Sequence, residues 1–300
     1  MKPGSYNFNF VGKGKIWFII SSVVILAGIA GYLVQGGFNF GIDFLGGTLM
    51  EVEFDREVSI AEVRDVMENL DLGNAILQPV EPNRFNESNR VIIRTTPIDI
   101  KTKNEILNSL DENIGINKTP LQDRTVSPGF GKKITRNALI AIGVSILGIL
   151  IYVWIRFELR FGATAIFALV HDVLVTLGVY AISNREINTA TIAAILTILG
   201  YSLNDTIVVF DRIRENTSMA RKLGYAQVVN NSINKTLTRS INTSVTTLFP
   251  IVLLLIAGSP ALKDFAFALT IGIISGTYSS IFFASPILVA WNSRFPKYKK

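Results

Sequence analysis

The sequence predicts a membrane α-helical bundle of six transmembrane helices that carries one α+β domain between helices one and two. Three observations predict it. Hydrophobic residues make up 49% of the 300 and charged residues only 17%, a balance of the membrane class rather than of an ordinary soluble protein. Six apolar stretches run over 16–34, 138–155, 161–182, 189–210, 240–257 and 265–291. Each reaches about 18 residues, enough to cross a hydrocarbon core roughly 30 Å thick. A polar segment of about 100 residues, 35–133, separates the first stretch from the second.

The first stretch follows a short N-terminal segment, 1–15. It is longer than a signal-peptide core and ends in Gln35-Gly36-Gly37 without a small-x-small cleavage site, so it is read as an uncleaved anchor.

The polar segment 35–133 reads as a folded domain. In TLMEVEF, residues 48–54, apolar Met50, Val52 and Phe54 alternate with Glu51 and Glu53, the period of a half-buried strand. Ser59-Ile60-Ala61-Glu62 has the form of a capping box, and the helix it opens sets Ile60, Val63, Val66, Met67 and Leu70 on one face. Residues 75–80 and 90–95 read as strands around a polar turn, PNRFNESN. Residues 101–110 read as a helix with Ile106, Leu107 and Leu110 inward, and 119–127 as a last strand. The order β-α-β-β-α-β is the split βαβ, ferredoxin-like plan, which carries no function by itself.

Helices two to six fill 134–291, and a tail, 292–300, follows. The links are short except 211–239, which is basic and amphipathic, with Ala220, Leu223, Ala226, Val229 and Ile233 at near-helical spacing. Two readings stand for it: a helix lying on the inner face of the bundle or membrane, and a docking surface for a partner.

The formal net charge is +6. Its placement points away from nucleic acid. With the N-terminus cytoplasmic, the basic residues gather on the inner side, among them Lys2, Lys13, Lys15, Arg221, Lys222, Lys297, Lys299 and Lys300. The two short outer links hold only Arg185 and Lys263. That is the positive-inside pattern, with both termini cytoplasmic. Lys132, Lys133 and Arg136 depart from it, but they follow a long translocated domain, and such domains largely escape the rule. The chain has no cysteine, which excludes disulfides, thiolate metal sites and cysteine nucleophiles. Neither a phosphate loop nor H-E-x-x-H nor nucleophile–histidine–acid spacing is present, so no enzymatic activity and no cofactor or metal is expected.

Charged residues inside a bilayer are costly, face the bundle interior and mark ion or substrate paths. Three sites qualify. Asp205 lies six residues from Asp211, roughly 9 Å deeper at about 1.5 Å per residue. Two readings stand: a carboxylate that loads and releases a proton, and a packing carboxylate satisfied by Asn204 and neighbouring hydroxyls or paired with Arg212. At the start of helix five, Arg239, Asn242, Thr243, Thr246 and Thr247 share one broad face, at a depth from which Arg239 can approach Asp205. Alternatively Arg239 snorkels to lipid headgroups. The third site is His171-Asp172 in helix three, a second proton site or a buried structural pair. As helix neighbours they point about 100° apart and are not expected to face each other.

Two stretches carry a resemblance. NFGIDFLGGTL, residues 39–49, and GYSLNDTIVVFDRIREN, residues 200–216, resemble signatures of the SecD/SecF family of the resistance-nodulation-division superfamily; LVHDVLVTLG and LTRSINTSVTTL resemble its helices three and five. The resemblance implies an accessory role at the Sec protein-export channel of the bacterial plasma (inner) membrane, driven by the proton-motive force. It implies Asp205, Arg239 and Thr243 as a proton relay, and Gly41, Asp43, Gly46 and Gly47 as the family's junction after helix one. The implied coupling ion is the proton. The implied partners are SecD, the translocon channel, a YajC-like accessory protein, unfolded preproteins and membrane lipids. The glycines at 36–37 and 46–47 suit either a bending hinge or a tight turn into the first strand. Two other functions remain open: a proton-coupled exporter of small molecules or lipids from the same superfamily, and a non-transporting assembly scaffold.

Overall fold

A computed structural model describes residues 8–80, 82–117 and 119–295. Lys2, Lys297, Lys299 and Lys300, counted above for the charge pattern, lie outside the described residues. Two units emerge: a helical unit of residues up to 39 and from 141 onward, and an α+β unit of residues 40–140.

Helix α1 (Gly14–Val34) is apolar almost throughout and buries only Ser21 and Gly28. In the α+β unit, a short helix α2 (Ile42–Leu45) starts at Gly41 and ends at Gly46. Gly46 and Gly47 take φ of +76° and +139° and turn the chain into strand β1 (Gly47–Ser59). Ser59 ends β1 and caps α3 (Ile60–Glu68): its Oγ accepts the Glu62 N–H, and the Glu62 carboxylate accepts the Ser59 N–H, both at 3.3 Å. The expected capping box is therefore present. Strands β2 (Ile76–Pro79) and β3 (Glu87–Thr95) follow, then α4 (Ile100–Asn113), capped by Asp99, and β4 (Gln122–Val126).

The sheet order is β2-β3-β1-β4, and every neighbouring pair is antiparallel. One face packs on the helices: Met50, Val52, Phe54, Val91 and Ile93 meet Val63, Met67, Ile106 and Leu110. The alternation read from TLMEVEF sets these inward positions correctly. Glu51 departs from it, because it too is buried, on the other face, where Gln122 donates to it at 2.7 Å and Arg90 lies at 3.6 Å.

The remaining helices are α5 (Pro128–Arg156), α6 (Leu159–Ser183), α7 (Thr189–Asn216), the short α8 (Ala220–Leu223), α9 (Tyr225–Ala257) and α10 (Pro260–Tyr278). A π-helical turn (Ser279–Ala284) joins α10 to α11 (Ser285–Arg294). Among the described residues, six helical spans are long and apolar enough to cross a membrane. Helix α5 begins ahead of its apolar run and takes in Lys132, Lys133 and Arg136.

The link expected over 211–239 is mostly helix. Helix α7 continues to Asn216, and α9 runs unbroken from Tyr225 through Pro250 to Ala257. Of its expected stripe, Ala220, Val229 and Ile233 pack on the bundle, whereas Leu223 and Ala226 are exposed. Val228, Val229, Ile233 and Leu237 are buried in the core that holds Phe210 and Ile213. Two asparagines one turn apart on this segment grip the chain ahead of α1. Asn230 Oδ1 accepts the Phe10 N–H at 2.8 Å, Asn234 Oδ1 accepts the Phe8 N–H at 3.0 Å, and both side chains donate to the Phe8 carbonyl.

Small residues set the helix spacings. A Cβ on Gly276 of α10 would stand 2.9 Å from the Ser202 Cβ of α7, and one on Gly272 would overlap Ile198. With no hydrophobic drive between helices in lipid, such close contacts supply the packing. They bring α10 and the π turn directly against α7.

Candidate functional site

Asp205 sits on the buried face of α7 and is 7% exposed. Two hydroxyls from neighbouring elements hold its two oxygens. Ser240 of α9 donates to Oδ1 at 2.7 Å, and Ser280 of the π turn donates to Oδ2 at 2.5 Å. The seam continues one turn away, where Ser244 of α9 and Thr277 of α10 share a hydrogen bond of 2.6 Å. Asn204, one residue before Asp205, is exposed and takes no part.

Arg239 lies near enough to Asp205 to act on it electrostatically, but the hydrogen bonds to the carboxylate come from Ser240 and Ser280. Ser240 occupies the inward position of α9, and Arg239, about 100° around the helix, is exposed. Asn242, Thr243 and Thr246 share that exposed side, and Thr247 is half-buried beside them. Thr243 Oγ1 donates to the Arg239 carbonyl at 2.9 Å, so the two are coupled along the helix rather than through their side chains. Arg212 does not reach Asp205; it pairs with Glu215 at 2.8 Å. Asp211 at the helix end is held by Arg156 at 2.5 Å and Arg214 at 3.3 Å.

A second buried carboxylate lies beside the first. Asp172 of α6 is fully buried. Its Oδ2 accepts from Ser202 of α7 at 2.5 Å and Ser279 at 2.8 Å, and its Oδ1 accepts from Ser275 of α10 at 2.7 Å. His171 and Asp172, expected to point apart, meet: Nδ1 lies 3.0 Å from Oδ1. The 100° separation holds for the Cβ vectors, but Nδ1 sits near the root of the ring and a carboxylate of the next residue can turn onto it. On its far side the ring Nε2 lies 3.0 Å from Ser21 Oγ of α1.

The serines that build this site, at 202, 240, 275, 279 and 280, were not singled out from the sequence. Serine is common in membrane helices, and only its clustering in SGTYSS, residues 275–280, is a usable signal. Charge spacing alone favoured Arg239 over its neighbour Ser240.

The glycine junction is a packed turn. A Cβ on Gly47 would stand 2.5 Å from the Thr95 carbonyl oxygen, and one on Gly46 would stand 2.9 Å from Pro128 Cα. Asp43 is buried beside it and holds Arg124 at 2.6 Å. Among the described residues no cluster of three or more His, Cys, Asp or Glu side chains forms a metal-binding group.

The segments that hold both parts of this arrangement match known families. The family model described as "Protein export membrane protein SecD/SecF, C-terminal" matches residues 106–294, and that described as "SecD/SecF GG Motif" matches 31–58. The chain is 36% identical over 300 residues to the protein translocase subunit SecF of Petrotoga mobilis, covering 98% of this chain and 99% of that one. It is 39% identical over 289 residues to the SecF of Calditerrivibrio nitroreducens, covering 94% and 93%. The protein translocase subunit SecDF of Thermus thermophilus is 39% identical over 290 residues, 96% of this chain but only 39% of that relative. The crystal structure of a Thermus SecDF, titled a translocon-associated membrane protein, superposes with a TM-score of 0.87 at 37% identity, covering 98% of this chain and 40% of that one.

Proposed function

Because the chain belongs to the SecD/SecF family of protein-export membrane proteins, we propose that it couples proton movement through its helical unit to work on a polypeptide being exported. It is a multi-pass bacterial membrane protein and an accessory subunit of the Sec translocase, partnered by SecD. The SecDF of Thermus thermophilus carries both names in one chain, and this chain spans about two-fifths of it.

The finer reading is ours. Both termini are cytoplasmic, following the positive-inside pattern. The α+β unit is extracytoplasmic and ferredoxin-like; its β-α-β-β-α-β order and its antiparallel β2-β3-β1-β4 sheet support that plan. The wider partners are the translocon channel, unfolded preproteins, a YajC-like protein and the surrounding lipids. The coupling ion is the proton, and no other cofactor is called for.

One observation carries the proposal: a buried carboxylate on a membrane-spanning helix, Asp205, is held by the hydroxyls of two different neighbouring elements. While Asp205 is ionised, Ser240 and Ser280 both donate to it. A proton on either oxygen turns that oxygen into a donor and forces one hydroxyl to rotate. The tie between α7 and either α9 or the π turn then changes. Arg239 and Thr243, exposed on the adjacent face of α9, are open to a carboxylate from the partner subunit, so this chain holds one part of the proton path. Asp205→Asn keeps the shape and removes the titration. Export driven by an imposed proton gradient should fall to the level seen without the gradient in that variant, while export without a gradient stays unchanged. Gradient-driven export at the wild-type rate would refute the role of Asp205.

A further inference from the structure

Ser279 and Ser280 follow one another in the π turn and serve different carboxylates. Ser279 donates to Asp172 and Ser280 to Asp205. Helix α7 also touches both, since Ser202, one turn before Asp205, donates to Asp172. The two acids are therefore linked through neighbouring residues of the π turn and through one turn of α7. Each serine also has a second acceptor on its own helix: the Gly276 carbonyl lies 3.2 Å from Ser279 Oγ, and the Thr277 carbonyl 3.1 Å from Ser280 Oγ. A hydroxyl can leave its carboxylate without being stranded, which keeps the exchange within reach. π-helical turns recur at functional sites.

Beyond Asp172 the hydrogen bonds continue toward α1. Asp172 Oδ1 meets His171, and the far nitrogen of His171 meets Ser21 on α1. Ser21 donates to the Tyr278 hydroxyl at 3.4 Å, which donates to the Trp17 carbonyl at 2.9 Å. The imidazole stacks on Phe283, at 4.6 Å between ring centres, and on Tyr278, at 6.0 Å. The titratable and charged groups facing one another across this cluster are Asp172, His171, Tyr278 and Asp205, with Arg239 of α9 acting electrostatically on Asp205. Helix α1 buries only two residues, Ser21 and Gly28, so Ser21 is its buried side-chain tether to the bundle core, beside the Trp17 carbonyl that accepts from Tyr278. The chain runs from α1 directly into the α+β unit.

We propose that His171 and Asp172 are positioning residues that connect the state of Asp205 to α1, through the Ser279–Ser280 pair on one side and Ser21 on the other. The inference rests on the reading of Asp205 as the proton-bearing site and adds where its change is delivered. A proton on Asp205 releases Ser280, the π turn resettles, Ser279 shifts on Asp172, and the His171–Ser21 contact moves with it. Helix α1 is displaced.

The chain has no cysteine, so introduced cysteines report without background. Spin labels at Leu26→Cys on α1 and Phe249→Cys on α9, both exposed, give an α1–α9 distance in the full chain, reconstituted in phospholipid nanodiscs. Asp205→Asn mimics the protonated acid. It should shift that distance by about 1–2 Å, the scale of helix shifts in switching proteins. The shift should vanish when Ser21→Ala or Ser279→Ala is added, and persist with Ser244→Ala, which removes a nearby hydroxyl outside the path. Each removes a single oxygen, so folding is preserved where changes at Asp172 risk losing it. A shift that survives both Ser21→Ala and Ser279→Ala overturns the proposal, as does the lack of any shift in Asp205→Asn alone. Gradient-driven export by Asp205→Asn is measured separately. If export is lost and the distance behaviour fails, the tether is wrong and the role of Asp205 stands.

Discussion

Gly28 of α1 and Gly178 of α6 meet backbone to backbone: a Cβ on Gly28 would stand 2.5 Å from the Gly178 Cα. No side chain can turn aside to relieve such a clash, so the helices themselves must separate. Gly28→Ala should therefore destabilise the helical unit by about 1–3 kcal/mol, the usual range for overpacking. Gly143→Ala on α5, where nothing lies within 4 Å, should be neutral or mildly stabilising. Thermal unfolding of the two variants in the same detergent decides the point, and equal melting temperatures would count against the close contact.

Gly46 and Gly47 distinguish a hinge from a packed turn. Gly47 combines a φ of +139° with an approach of 2.5 Å to the Thr95 carbonyl oxygen, whereas Gly37, at +132°, has nothing within 4 Å. Gly47→Ala should cost about 1–3 kcal/mol from backbone strain alone, with the clash added. Gly37→Ala carries the strain without the clash and should be the milder of the two. Proteolysis of the α+β unit in the full chain compares them directly. Equal sensitivity would mean that the turn is looser than its geometry.

The six spans were legible because apolar runs of this length have few other uses. The α+β unit was legible because its strands alternate and its first long helix announces itself with a capping box. What escaped was set by rotation and register. The segment 211–239 reads as an amphipathic helix on the inner face of the bundle or membrane, and the packed bundle decides for the first, with Val229 and Ile233 in the core that holds Phe210 and Ile213. Arg239 and Ser240 differ by one residue, which on a helix is 100° and the difference between an exposed side chain and a hydrogen-bond donor to the Asp205 carboxylate. The π turn that sets Ser279 and Ser280 on two acids has no sequence pattern of its own.

Asn230 and Asn234 make a further prediction. Asn230 Oδ1 takes the N–H groups of both Phe10 and Val11, and its amide donates to the Phe8 carbonyl. Asn230→Ala strands the Phe10 and Val11 N–H groups in a half-buried setting, at a cost of about 1–3 kcal/mol, while the Phe8 carbonyl keeps Asn234. Hydrogen exchange at the amides of residues 10 and 11 should accelerate by about tenfold or more, since 1.4 kcal/mol is roughly a factor of ten. Asn230→Asp keeps the acceptor and loses the donor, so it should fall between alanine and wild type. Unchanged exchange in the alanine variant would show that Phe10, buried in the core, anchors the segment unaided.

Glu62 makes the pH-dependent case. The Arg56 guanidinium donates to its carboxylate, and the Ser59 N–H adds to this; together they hold the Glu62 carboxyl below the ordinary carboxylate range. A folded-state pKa below the unfolded value contributes stability that is complete above the unfolded value and is lost as pH falls through the folded one. The start of α3 should therefore loosen only in acid. Glu62→Gln retains an acceptor for the Ser59 N–H but cannot titrate, so hydrogen exchange in α3, corrected for its intrinsic pH dependence, should change less across the acid range than in the wild type. Arg56→Gln removes the larger cause, and loosening should then begin at higher pH. Both groups are well exposed, so the difference should shrink in high salt. If Arg56→Gln left the acid limb where it is in the wild type, the backbone cap rather than the ion pair would be what holds Glu62 ionised.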